Sequence, residues 1–236
     1  MLLRRSRASM LGRSARRANE RNDNQRTRSR AMTVARIEKT VISGTFSLDG
    51  QHFDVDNNVW LVGDDNEVLI IDAPHDADPI VAAIGGRRVK AIVLTHGHND
   101  HITAAVDLRE MTGAPIWLNP ADRMLWDVVH PAAAPDGDLA EDTQFTVAGT
   151  TLTALHTPGH SPGSTCLLTP DLGTVFTGDT LFCGGPGATG RSYSDKPTIL
   201  NSIRSRLLTL PGDTVVKTGH GDDTTIEAEI HNVDQA

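Results

Sequence analysis

The chain of 236 residues is 38% hydrophobic and 22% charged, an ordinary globular makeup, and holds no run of about 18 apolar residues that would cross a bilayer as a helix. Its formal charge of −8 is unevenly spread: ten arginines against Glu20 and Asp23 make residues 1–31 strongly basic, whereas from Met32 onward 28 Asp and Glu face 12 Lys and Arg, a body at −16. An acidic body argues against a phosphate-binding face, so neither nucleic acid nor a membrane is expected as a partner.

Residues 1–31 are rich in Arg, Ser and Asn, carry few large apolar side chains beyond Leu2, Leu3 and Leu11, and show no periodicity. Such a segment cannot build a core, so a disordered tail, or sequence upstream of a true start at Met32, is expected, with 32–236 as a single domain. The Arg-rich, acid-poor makeup would also suit an organellar transit peptide. With Cys166 and Cys183 as the only cysteines there is no disulfide scaffold, and a cytoplasmic protein is expected.

Val59 to Val62 and Val68 to Ile71 read as a hairpin around Gly63, Asp64, Asp65 and Asn66. Pro79 to Ile84 suggests a short helix closed by Gly85 and Gly86, followed by a buried strand from Val89 to Leu94. Ala104, Ala105, Leu108 and Met111 recur at helical spacing up to Gly113, and Pro115 to Leu118 suggests another strand. After a Pro, Ala, Asp and Gly loop from Pro131 to Asp138 come strand-like runs at Gln144 to Val147, Thr151 to Leu155, Ser164 to Thr169 and Thr174 to Thr177. Pro197 sets up a helix with Ile199, Leu200, Ile203 and Leu207 on one face, before a strand at Thr214 to Lys217 and an amphipathic end. The series suggests two sheets face to face with helices outside.

The cluster His96-Gly97-His98-Asn99-Asp100-His101 stands between the buried strand and the following helix and places three imidazoles and a carboxylate in six residues. Imidazole and carboxylate are ligands for zinc and other first-row metals. Alternate positions can aim His96 and His98 one way while Asp100 and His101 face another, as a two-ion site needs. Three more candidates follow strand-like runs: His160 in a Gly/Pro loop, Asp179, and His220. Strand ends in layered α/β structures line one rim, where distant residues converge. The Gly-rich segment from Gly184 to Tyr193 is too rich in glycine for a strand or helix and should overhang the site, bringing Arg191 and Tyr193 within reach of a substrate. Specificity is expected from Cys183 to Tyr193 and from His130 to Asp138. Cys183 reads as a small buried residue, Cys166 as core, and His52, His75, His130, His156 and His231 as surface or capping residues.

The H-x-H-x-D-H signature, the later His160, Asp179 and His220, and the early Asp72 together resemble the metallo-β-lactamase superfamily. The loop Thr157-Pro158-Gly159-His160-Ser161-Pro162-Gly163-Ser164 is similar to that of its glyoxalase II (hydroxyacylglutathione hydrolase) branch. The resemblance implies an α/β fold, a four-layer αββα sandwich of two mixed β-sheets with helices on the outer faces. It also implies two divalent metal ions, zinc first and iron or manganese as alternatives. His96, His98 and His160 would hold one ion, Asp100, His101 and His220 the other, and Asp179 would bridge both. Asp72 would orient the ligand loop, and Asp100 and Asp179 would act directly in catalysis.

The activity so implied is hydrolysis of a thioester, an S-acyl derivative of a small thiol such as an S-lactoyl or S-formyl compound in aldehyde detoxification. Glyoxalase II proper has a C-terminal helical domain that binds glutathione, whereas this sequence runs only sixteen residues past His220, so a different carrier, for instance mycothiol, is expected. A mononuclear iron persulfide dioxygenase using His96, His160 and Asp179 is the main alternative, and a lactonase another. A true β-lactamase is disfavoured because those enzymes lack the aspartate matched by Asp179.

Overall fold

The computed structural model describes residues 34–236, and the expectations for residues 1–31 fall outside them. The first sheet runs in the order β1 (Arg36–Leu48), β2 (Gln51–Gly63), β3 (Glu67–Ile71), β4 (Arg88–Val93), β5 (Ile116–Leu118) and β6 (Gly137–Asp138). Its first three strands are antiparallel and the rest join in parallel. The second sheet runs from β14 (Thr224–Thr225) through β13 (Val215–Thr218), β10 (Thr174–Gly178), β9 (Thr165–Thr169) and β8 (Thr150–His156) to β7 (Gln144–Val147), with only β10 and β13 parallel. Both sheets are mixed, as expected.

Three apolar clusters show how the layers stack. Because strand side chains alternate, Val68 and Ile70 of β3 join Ile92 beneath the helices α1 (Ala77–Ile84) and α3 (Ala105–Thr112), while Leu69 and Ile71 turn the other way. There they meet Leu152, Leu167 and Phe176 of the second sheet. On the far side Cys166, Val175 and Val216 pack beneath α5 (Lys196–Ser202), its wider π-type continuation through Leu207, and α6 (Ile226–Gln235). Helix, sheet, sheet, helix is the resulting order, the αββα sandwich that the periodicities imply. Asp76 caps the start of α1 by accepting from Asp78 N, and Gly85 (φ 62°) and Gly113 (φ 71°) close α1 and α3 in the left-handed conformation that suits glycine.

Four features depart from the sequence reading. The expected hairpin is present as β2–β3, but a longer one precedes it, in which β1 from Arg36 pairs with β2 and turns through Asp49 (φ 53°) and Gly50 (φ 71°), a pair with both residues left-handed that matches the twist of the strands. A helix α4 (Arg123–Val129) precedes the Pro131 loop, with Trp126 buried beneath it. Gly185–Pro186 (β12) pairs with Leu181–Phe182 (β11), so the Gly-rich segment starts as a small hairpin. Met111 is 52% exposed, because one turn past Leu108 the helix has left the core. Among the described residues no helix is long and apolar enough to cross a membrane.

Candidate metal centre

Asp72 follows β3 at φ 63°, a conformation that a side chain bearing a Cβ rarely takes and that the surroundings must hold in place. Its Oδ1 accepts from Thr95 N at 2.7 Å, and its Oδ2 from Thr95 Oγ1 at 2.9 Å and from His101 Nδ1 at 2.8 Å. One carboxylate thus joins both ends of the loop after β4, including the short helix α2 (Asn99–Ile102) that carries Asp100 and His101.

Asp122, which the sequence did not single out, holds the other half. Its Oδ2 accepts from Gly97 N at 2.7 Å and Ser161 Oγ at 2.6 Å, and its Oδ1 from Gly163 N at 2.6 Å. One buried carboxylate therefore fastens the His96–His98 loop to the His160 loop. Burial pushes its pKa up, and the hydrogen bonds from Ser161, Gly163 and Gly97 only partly oppose this.

The seven expected ligands converge in two groups. His96 Nε2 and His160 Nε2 each lie 3.0 Å from His98 Nδ1. His101 Nε2 is 3.2 Å from His220 Nε2, and Asp100 Oδ2 is 3.3 Å from His220 Nε2 and 3.6 Å from His101 Nε2. Asp179 stands between the groups, with Oδ1 3.3 Å from His101 Nε2, and Oδ2 3.5 Å from His220 Nε2 and 3.6 Å from His160 Nε2. Ligands around a tetrahedral ion at about 2.0–2.1 Å stand about 3.3 Å apart, so the spacings suit coordination.

Proton accounting leads to the same point. His160 Nδ1 donates to Ala188 O, His220 Nδ1 to the Asp56 carbonyl and His101 Nδ1 to Asp72. Thr95 Oγ1 gives its hydrogen to Asp72, so His96 Nδ1 donates to Thr95. These four neutral rings therefore turn Nε2 lone pairs inward, whereas His98 turns Nδ1 inward and leaves Nε2 without a partner; they face two carboxylates whose Asp100 Oδ1 and Asp179 Oδ1 have no hydrogen-bond partner either. A buried nest of acceptors lacks cations, and metal ions or protons can supply them.

Without metal, protons do so in part. Burial pushes His101 and His220 down, but Asp179 and Asp100 outweigh it and raise His101 well above its usual value and His220 to about 10. Burial would raise Asp100 and Asp179, yet His101 and His220 hold Asp179 well down, and Asp100 below its usual value. Burial and neighbouring imidazoles depress His96 and His98, the latter to about 3.

His98, Asp100, His160, Asp179 and His220 form the floor of a cavity of about 470 Å³ whose walls include Phe46, Phe53 and Val55 of the hairpin β1–β2, Phe182 and Arg191. Arg191 faces it as expected, with Cζ 4.7 Å from the Phe53 ring centroid and 5.6 Å from that of Phe46. Tyr193 does not: at φ 70° the chain reverses there and leaves its side chain 56% exposed, outside the wall. No residue from His130 to Asp138 lines the cavity, because His130 is tied by Nε2 to Ile102 O; the first hairpin takes that place. Cys183 is exposed rather than buried, since it sits at the tip of the β11–β12 turn, whereas Cys166 is core, with burial lifting its thiol to about 11.

His52 and His156 have local partners, Ser47 Oγ and Pro162 O. His75 differs from the expected surface residue. Half-buried against Gly44, it meets Asn57 Oδ1 at 2.8 Å, while Asn57 Nδ2 donates to Asp100 Oδ2 at 3.2 Å. Asn57 is fully buried and was also missed, although it opens the apolar run of β2.

Residues 52–220 match the sequence profile described as Metallo-beta-lactamase superfamily. The chain is 35% identical over 188 residues to the hydroxyacylglutathione hydrolase GloC of Haemophilus influenzae, covering 73% of this chain and 89% of that one. Among solved structures it is similar to TTHA1623 in a di-iron-bound form, with 31% identity, a TM-score of 0.65 and coverage of 80% and 96% of the two chains. It is also similar to ETHE1 from Myxococcus xanthus, with 28% identity, a TM-score of 0.63 and coverage of 81% and 83%.

Proposed function

The chain belongs to the metallo-β-lactamase superfamily, and we propose that within it this protein is a dinuclear hydrolase of thioesters formed by a small thiol. Its hydrolase relatives support a metal-dependent hydrolase, and its His and Asp clusters are able to bind metal ions. The observation that carries the finer reading is Asp179, whose two oxygens stand within 3.3–3.6 Å of ring nitrogens from both ligand groups. A carboxylate so placed supports a pair of ions over one. The likeness to hydroxyacylglutathione hydrolase GloC supports a thioester, and the di-iron form of TTHA1623 supports two ions, with iron beside zinc as a candidate.

When bound, divalent ions supply Lewis acidity, lowering the pKa of a water and polarising the acyl carbonyl. His96, His98 and His160 would hold one, Asp100, His101 and His220 the other, and Asp179 both. Asp100 does more than ligate: its unpartnered Oδ1 is on a residue of the cavity wall, where it can accept the hydrogen of the attacking water and orient the oxygen. Asp72 and Asn57 keep His101 and Asp100 in position through the bonds described above. Phe46, Phe53 and Phe182 exclude bulk water from the acyl group. The thiolate is a good leaving group and needs little proton assistance.

The test pairs metal content per chain by mass spectrometry, on protein purified without added metal, with thiol release from S-lactoyl and S-formyl thiols. Two ions with thiol release support the reading. One iron per chain, no thiol release and oxygen uptake with a persulfide would instead establish the second reading, a mononuclear dioxygenase built on His96, His160 and Asp179, for which the likeness to ETHE1 speaks.

A further inference from the structure

The β1–β2 hairpin outruns the sheet that carries it. β3 pairs with β2 only from Trp60 to Gly63, so from Gly44 to Val55 the two strands pair with each other alone. A lone two-stranded hairpin is marginal in water. Yet this arm carries Phe46 and Phe53 on the cavity wall, with the Phe46 ring centroid 5.4 Å from that of His98. Outside the hairpin, the arm's hydrogen-bond partners among the described residues lie in two places. At the tip, Arg191 Nη1 donates to Gln51 Oε1 and Ser192 N to Asp49 Oδ2. Midway, Asn99 Oδ1 accepts from Ser47 N at 2.8 Å, and Asn99 Nδ2 donates to Thr45 O at 2.8 Å. β1 is the edge strand of its sheet, and this one amide supplies the acceptor and the donor that a further strand would have offered. Aspartate offers only acceptors and alanine neither group. Asn99 fills a position that H-x-H-x-D-H leaves open, between the candidate ligands His98 and Asp100.

We propose that Asn99 is a positioning residue that latches the β1–β2 arm to the ligand loop and so sets how closely Phe46 and Phe53 approach the metal centre. The tip bonds tie the arm to the Gly-rich loop, not to the ligands; Asn99 ties it to the segment that holds them. The ligand loop has its own anchors, Asp72 on His101 and Asp122 on Gly97, neither of which uses Asn99. Releasing the latch therefore moves the aromatic wall and leaves the ligands in place. The latch is independent of the reaction performed, and its kinetic readout rests on the thioesterase reading.

The test compares metal-loaded wild type with Asn99→Ala and Asn99→Asp, and with two changes on the other side of the latch. Ser47→Pro deletes the N–H on an edge strand, where proline is tolerated, and Ser47→Ala keeps it; both lose the Ser47 Oγ contact with His52, so their difference isolates the N–H. Hydrogen exchange, read by mass spectrometry on peptides from residues 44–55, should quicken about 10- to 100-fold in Asn99→Ala and Ser47→Pro and less in Asn99→Asp. It should stay within about 3-fold of wild type in Ser47→Ala, with β3 and β4 unmoved throughout. On the S-hexanoyl ester of mercaptoethanol, Asn99→Ala and Ser47→Pro should raise KM about 10-fold, with kcat within about 3-fold and metal content unchanged. Unaltered exchange of the arm in Asn99→Ala, or a fall in metal content and kcat at constant KM, would overturn the proposal. If wild type hydrolyses no thioester, the thioesterase reading fails and the exchange data alone decide the latch.

Discussion

Replacing Asp122 with alanine tests whether one carboxylate holds both loops of the first ligand group. The change removes the acceptor of Gly97 N, Gly163 N and Ser161 Oγ. Ser161 Oγ has a second neighbour, Ser164 Oγ at 2.9 Å, so the two backbone amides bear most of the loss. Each buried donor left unpaired costs about 1–3 kcal/mol, and relief from burying a carboxylate whose pKa is raised offsets part of the sum. The expected net loss is about 3 kcal/mol, which for a chain of this size lowers the unfolding midpoint by about 6–12 °C. The same change frees His96, His98 and His160 from their common anchor, so affinity for the first ion should fall about 10- to 100-fold. Calorimetric melts of metal-stripped and loaded protein, with competition against a chromophoric chelator, measure both. A midpoint within about 2 °C of wild type together with unchanged affinity would refute the reasoning.

Gly219→Ala should abolish binding of the second ion, because a methyl there collides with Asp179 Oδ1 and comes within 2.9 Å of His101 Cε1; metal counting should give one ion per chain, and two would contradict the geometry. Asn57→Ala removes the amide that donates to Asp100 Oδ2 and should weaken the second site about 10- to 100-fold while sparing the first, as read by stepwise metal titration. In metal-stripped protein the raised pKa values of His101 and His220 give stability that is complete below about pH 6.5 and lost as pH rises, for His220 through about 10. The depressed His96 and His98 withdraw stability as pH falls below about 6.5, for His98 down to about 3. Thermal midpoints should therefore peak near pH 6.5, and saturating metal should remove the alkaline decline because ions replace those protons; a midpoint that climbs through pH 9 in stripped protein would contradict the assignment.

What the sequence disclosed followed from how local each signal was. The strands Val59–Val62, Val68–Ile71 and Val89–Leu94 were legible because their apolar runs stop at turn residues, and the ligands because H-x-H-x-D-H crowds its chemistry into six positions. The outer half of the first hairpin was not, since Gln51 to Asp56 are largely polar and exposed; its one local sign was Asp49-Gly50, a pair typical of tight hairpin turns. Asp122 follows Pro120 and Ala121 with no pattern at all, and its importance arises only when three donors from two distant loops meet it. Arg191 and Tyr193 looked equivalent two residues apart, and the left-handed backbone at Tyr193 separates them. His75 joined the site through Asn57, a partner eighteen positions earlier that no spacing rule would supply.

The candidate ligands do not belong to one sheet. His96, His98, Asp100 and His101 follow a strand of the first, whereas His160, Asp179 and His220 follow strands of the second. Any ion held by either group is therefore a rivet through the seam of the sandwich at this rim, alongside the bonds from Asn58 N to Gly219 O and from Trp60 Nε1 to Thr218 O. Loss of any such ion would then unfasten a joint between the two sheets as well as empty the site.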